Sequence, residues 1–143
     1  MYFRKTTLIT LCCSLVLVLM LSSCTDRKKA AKDLVSAGIQ ELEKGNSEAA
    51  KKCFEDALAK DPKLPQAWFY LGSTRYNMDK SVYKQALTDL SKAIALDTNY
   101  ADAYATRGQI KFYLDDKNGA CEDFRKAESL GKPNMNDKTR FCP

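Results

Sequence analysis

The chain has 143 residues, with 23 Lys and Arg against 18 Asp and Glu, a net charge of +5 and no histidine. That charge is too mild to argue for a nucleic-acid partner, and the missing histidine removes the commonest general base and the commonest neutral metal ligand. Phosphate-loop, nucleophile-elbow and paired-cysteine zinc patterns are absent as well, so no catalytic residues, metal site, cofactor or small-molecule substrate is expected.

Residues 1–23 read as a targeting segment. Arg4 and Lys5 precede an apolar run of 14 residues from Leu8 to Leu21. The run is too short for a spanning helix, which needs ~20 residues. A charged start, a short apolar run and small residues ahead of a cleavage point describe a secretory signal. Leu21-Ser22-Ser23-Cys24 also resembles the bacterial lipobox, in which the Cys thiol takes a lipid and the chain is then cut before it. Cys24 is therefore the expected lipidation site, because a thiolate is the nucleophile suited to forming a thioether. Two or more acyl chains anchor a protein stably where one does not. Residues 24–30 would form the lipidated N-terminus and a short polar linker. Thr25 is not the Asp that retains lipoproteins at the inner membrane of enteric bacteria, so an outer-membrane location facing the periplasm is expected. Arg27, Lys28, Lys29 and Lys32 could touch anionic headgroups at roughly 1 kcal/mol each; a solvated first turn explains them equally well.

Beyond residue 30 a small-residue lattice recurs. Gly38, Gly72 and Gly108 each sit near the start of a helical stretch, at spacings of 34 and 36 residues. Two alanines seven residues apart follow each glycine: Ala50 and Ala57, Ala86 and Ala93, Ala120 and Ala127. Two antiparallel helices approach closely only where small side chains face each other, so each unit predicts a helical hairpin. Turn signals at Gly45-Asn46, over Asp79–Ser81, and at Asp115-Asp116 with Asn118-Gly119 separate the paired helices. Asp61-Pro62 and Gly131-Lys132-Pro133 end second helices, since Pro cannot continue them. Two extra residues between Asn77 and Tyr83 predict a lengthened turn in the second unit.

The lattice resembles the tetratricopeptide repeat (TPR), whose pattern is W-x2-L-G-x2-Y, then A-x3-F, then a late Pro. Residues 31–64 supply Leu34, Gly38, Ala50, Phe54, Ala57 and Pro62; residues 65–100 supply Trp68, Leu71, Gly72, Ala86, Leu90 and Ala93. Residues 101–133 supply Tyr104, Gly108, Ala120, Phe124, Ala127 and Pro133. The pattern's Tyr is replaced by Glu41, Arg75 and Lys111. The resemblance implies an all-α fold, a right-handed superhelical stack of three TPR hairpins, with residues 134–143 as a short C-terminal cap.

In that family the first helices of the units line a concave face where ligands lie. Carried over by pattern, the lining is Val35, Ile39 and Leu42, then Phe69, Ser73, Tyr76 and Asn77, then Gln109, Phe112 and Tyr113. Aromatic and polar residues of this kind are enriched at interface hot spots. Chaperone-adaptor repeats hold a partner's terminal carboxylate with a Lys, Arg and Asn clamp; Val35, Ser36 and Ile39 stand in the matching places here, so an apolar peptide fits better. The carboxylate pairs Glu41/Glu43, Glu122/Asp123 and Asp115/Asp116 read as solvated surface.

Cys121 and Cys142 lie about equally far on either side of the Gly131–Pro133 turn. If Met135–Phe141 folds back as a short helix, the two can meet in a disulfide; two unpaired thiols are the alternative. Cys53 reads as a small buried hydrophobe. The resulting expectation is a noncatalytic, membrane-anchored module in the bacterial cell envelope, with a protein or peptide partner on its concave face, acting as adaptor or assembly factor. Binding of an envelope polymer, or a structural place in a larger complex, is the alternative.

Overall fold

The computed structural model describes residues 25–133, 136–139 and 142. The targeting segment and Cys24 lie outside the described residues. Helix α1 runs through 25–43 and is followed by α2 (Ser47–Lys60), α3 (Pro65–Met78), α4 (Tyr83–Leu96), α5 (Ala101–Tyr113), α6 (Lys117–Ser129) and the single turn α7 (Asn136–Thr139). Successive pairs form three antiparallel hairpins stacked side by side.

Each hairpin closes where the glycine of its first helix meets a large side chain of the second. A Cβ at Gly38 would come within 2.5 Å of the Phe54 ring, and one at Gly108 within 2.8 Å of the Phe124 ring. At Gly72 it would meet Leu90 Cγ at 2.9 Å. The recurring alanines Ala50, Ala57, Ala86, Ala93, Ala120 and Ala127 are fully buried along the same seams. Core clusters run on from hairpin to hairpin: Trp68 packs against both the first and the second, and Tyr104 against both the second and the third.

The turns explain the punctuation. In the first hairpin Gly45 has φ +82°, and the N–H groups of Gly45 and Asn46 donate to the carbonyls of Leu42 and Glu41 at 2.9 and 2.8 Å. This is a left-handed helix stop, which glycine adopts without steric cost. The third hairpin makes the same stop with Asp115 at φ 64°, a conformation that strains a residue bearing a Cβ. Between hairpins, Asp61 and Asp97 each accept an N–H from two residues ahead, from Lys63 and Asn99. The two extra residues of the second hairpin form a 3-10 turn, Lys80–Val82, started by Asp79 accepting from the Ser81 N–H.

One expectation needs correction. Residues 25–30 are not an irregular linker: they form the first turns of α1. Arg27 reaches the carbonyl of Lys60 at the end of α2, where a cation meets the negative pole of a helix, and Ala31 is fully buried one turn on. At the opposite end, α7 folds back and a disulfide joins Cys121 to Cys142, with Cα atoms 5.5 Å apart.

Candidate functional site

The first helices of the hairpins carry the lining residues, and the structure sorts them unequally. Val35 is only 7% exposed and belongs to the core cluster with Leu64, Ala67 and Leu71, so it packs hairpin against hairpin and offers a ligand almost nothing. Ile39 and Leu42 are half-buried against that cluster. Phe69 is half-buried between Tyr70 and Tyr100, with ring centroids at 5.2 and 4.9 Å. Asn77 and Tyr113 are exposed, and Gln109 is half-buried, accepting a hydrogen bond from Lys138 at 3.3 Å. Ser73 stands between these groups, and its Oγ is buried with no hydrogen-bond partner among the described residues.

Tyr76 and Tyr113 come together from α3 and α5 at 6.2 Å between ring centroids. Tyr83, from the start of α4, completes the group at 5.3 Å from Tyr76 and 6.4 Å from Tyr113. Burial, with Tyr113 and Tyr83 beside it, pushes the Tyr76 phenol up to about 12. Burial raises the Tyr100 phenol as well. Sequence reasoning missed Tyr83 because pattern transfer considers first helices alone; the lengthened turn before it was the available signal. Phe112 departs from the strip. It is 45% exposed and lies with Lys117, Cys121, Phe124 and Lys138 around a separate groove of about 340 Å³ at the C-terminal end.

The carboxylates also need correction. Asp123 is not solvated surface: it is 3% exposed, accepts from Arg107 Nε and Nη2 at 2.8 and 2.6 Å, and pairs with Lys111 Nζ at 2.9 Å. Its counterpart Asp89 is similarly buried and pairs with Arg75, which also reaches Glu55 at 2.9 Å. Arg75 and Lys111 are two of the residues that replace the pattern's Tyr, so the departure has a structural cause: the ring gives way to a cation for a buried carboxylate. The bond from Arg107 to Asp123 holds the guanidinium above its usual range, whereas burial outweighs Arg75 and raises the Asp89 carboxyl. These buried charges hold helices together. Among the described residues no cluster of His, Cys, Asp and Glu is arranged to hold a metal.

Fold and site together define an α-hairpin repeat protein. The hairpins form a tetratricopeptide-repeat stack, and residues 101–130 match the family model of the tetratricopeptide repeat. RNA polymerase II-associated protein 3 of Xenopus tropicalis is 33% identical, over 84% of this chain and 19% of its own. The chain spans about a fifth or less of the length of the curated relatives it matches. Among solved structures, the first TPR of Spaghetti (RPAP3) bound to the HSP90 peptide SRMEEVD superposes with a TM-score of 0.74 at 23% identity, covering 79% of this chain and 90% of that one. The second TPR of Spaghetti, bound to the same peptide, gives 0.70 at 27% identity, covering 73% and 95%.

Proposed function

We propose that this chain is a noncatalytic adaptor or assembly factor that holds a protein segment on its inner face while a lipid on Cys24 ties it to a bacterial membrane. The observation that carries the peptide-binding part is the row formed by Ile39 and Leu42, Ser73 and Tyr76, and Gln109 and Tyr113. It offers half-buried apolar and aromatic surface around one buried hydroxyl that still lacks a partner. The apolar side chains of an extended or helical peptide would supply the contact this row offers. Similar stacks that bind peptides support the reading. The acidic HSP90 sequence bound there is not the ligand expected here, because Val35, Ser36 and Ile39 stand at the clamp positions and none of them is a cation.

Anchoring rests on Leu21-Ser22-Ser23-Cys24 and the charged start ahead of it. The outer membrane, periplasmic side, is the proposed location. Confinement to a surface raises the module's effective concentration near membrane partners.

Cross-linking in intact cells tests the binding part. A recurrent protein neighbour, cross-linked near α3 and α5 and lost in the Asn77→Ala, Tyr113→Ser variant, is the expected result. Adducts confined to glycan or lipid, with no recurrent protein, would overturn it. Labelling with an alkynyl fatty acid tests the anchor separately: wild type incorporates the label and Cys24→Ala does not. Equal labelling of both removes the anchor from the proposal.

A further inference from the structure

The groove at the C-terminal end has a template inside the molecule. On the second hairpin the equivalent surface is covered by the next first helix, α5: Ala103 and Ile110 are fully buried against Leu90 and Ala93, and Tyr113 lies over Tyr76 and Tyr83. On the third hairpin the covering element is α7, a single turn of four residues. It leaves about 340 Å³ lined by Phe112, Lys117, Cys121, Phe124 and Lys138. Phe112 is 45% exposed there, while Phe124 forms the floor.

The charge of this groove differs from that of its template: among the described residues no carboxylate lines it, and cations stand at two of its edges. Lys138 lies 5.6 Å over the Phe124 ring and donates to the neutral Gln109. Lys117 pairs only loosely with Asp115, at 3.4 Å with both side chains largely exposed. At the place of Lys117 the second hairpin has Tyr83, so the end groove is not simply a copy of the surface that α5 covers.

We infer that this groove is a second binding site, distinct from the inner face, for a short acidic and apolar peptide segment of another protein. An aliphatic or aromatic side chain would lie between Phe112 and Phe124, where α5 places Ile110 and Tyr113 on the preceding hairpin. Flanking carboxylates would meet Lys117 and Lys138. Cys121 forms part of the wall, and its disulfide to Cys142 ties down the segment that carries Lys138, so the site is complete only while that bond is intact. Reduction cleaves the sulfur–sulfur bond, a dithiol reductant supplying two electrons and two protons. Two thiols result, and the segment bearing Lys138 is released.

The test uses the full chain in detergent and a fluorescein-labelled helical peptide carrying Leu and Phe one turn apart, flanked by Glu. A matched peptide has Gln in place of every Glu. The Glu peptide should bind, Lys117→Gln and Lys138→Gln should each weaken it about fivefold, and Phe112→Ser about tenfold or more. Asn77→Ala, on the inner face, should leave it unchanged, which separates failure here from failure of the inner-face proposal. Dithiothreitol should weaken binding of the Glu peptide more than that of the Gln peptide. Circular dichroism on each variant establishes that it is folded, and amide-exchange protection should fall on α6 and α7. Equal affinity for the two peptides, insensitivity to Phe112→Ser, protection elsewhere, or a Phe112-dependent dimer that excludes the peptide would each overturn the inference.

Discussion

Three residues after its leading alanine the first hairpin has Cys53, and the third has Asp123. The two hairpins share the glycine seam, Gly38 against Phe54 and Gly108 against Phe124, and so share their geometry. They differ in what lies beside the seam. In the third hairpin Arg107 and Lys111 of α5 converge on Asp123 of α6, and Arg107 continues to Ser91 of α4 at 3.1 Å. In the first, Glu41 turns back to Lys44 and Asn46 within its own turn, and the Cys53 thiol is free. Close packing alone suffices to close such a hairpin; the buried charges add directional ties, both between its helices and to its neighbour.

The contrast is broken most severely at Asp123. Asp123→Ala leaves two cations partly buried without their carboxylate and should cost about 3–5 kcal/mol in urea unfolding, whereas Cys53→Ala should cost under about 1 kcal/mol. Equal losses would mean that the charge network contributes nothing beyond volume. Next comes the C-terminal tie. With its cysteines 21 positions apart, loss of the disulfide in Cys142→Ser should lower stability by about 3 kcal/mol. Amide exchange should then speed up first in α6; a change confined to α1 and α2 would contradict the placement. The glycine seam should respond equally in both hairpins, Gly38→Ala and Gly108→Ala each losing about 1–3 kcal/mol through overpacking on a phenylalanine ring. A harmless Gly38→Ala would show the first hairpin to be looser than its geometry.

Smaller effects sharpen the comparison. Gly45 and Asp115 make the same left-handed stop, so Asp115→Gly should stabilise the chain by about 1 kcal/mol in thermal melting, and Gly45→Asp should do the reverse. The smallest effect is alkaline. Tyr76 is raised from 10.0 to about 12 when folded, so the unfolded chain loses that proton first. The resulting contribution to stability is complete below pH 10.0 and disappears as the pH rises through about 12. The first hairpin has no tyrosine, so absorbance of tyrosinate should show this late titration from the second and third alone, and Tyr113→Phe should bring it earlier.

The stack itself was legible because close helix approach demands glycine and alanine at fixed spacings, and few other residues meet that demand. Its charge network was not. Arg75 and Lys111 each stand three residues after their glycines, and Asp89 and Asp123 three after their leading alanines, but neither spacing shows that the two columns meet. Asp123 beside Glu122 looked like any solvated pair until the facing helix was in place. On the inner face, Val35 fits the position of a lining residue, yet packing against Leu64, Ala67 and Leu71 claims it first. Position in a repeat says which way a side chain points, but the neighbouring hairpin decides whether any of it remains exposed.

Trp68 and Tyr104 each lie against two clusters at once, and this governs how the molecule comes apart. In a linear array, stability divides between the repeats themselves and the couplings between neighbours. A side chain shared across a boundary belongs to the coupling, so melting one hairpin strips packing from the next. Three short hairpins joined in this way should lose structure in one concerted transition, without fraying unit by unit from either end.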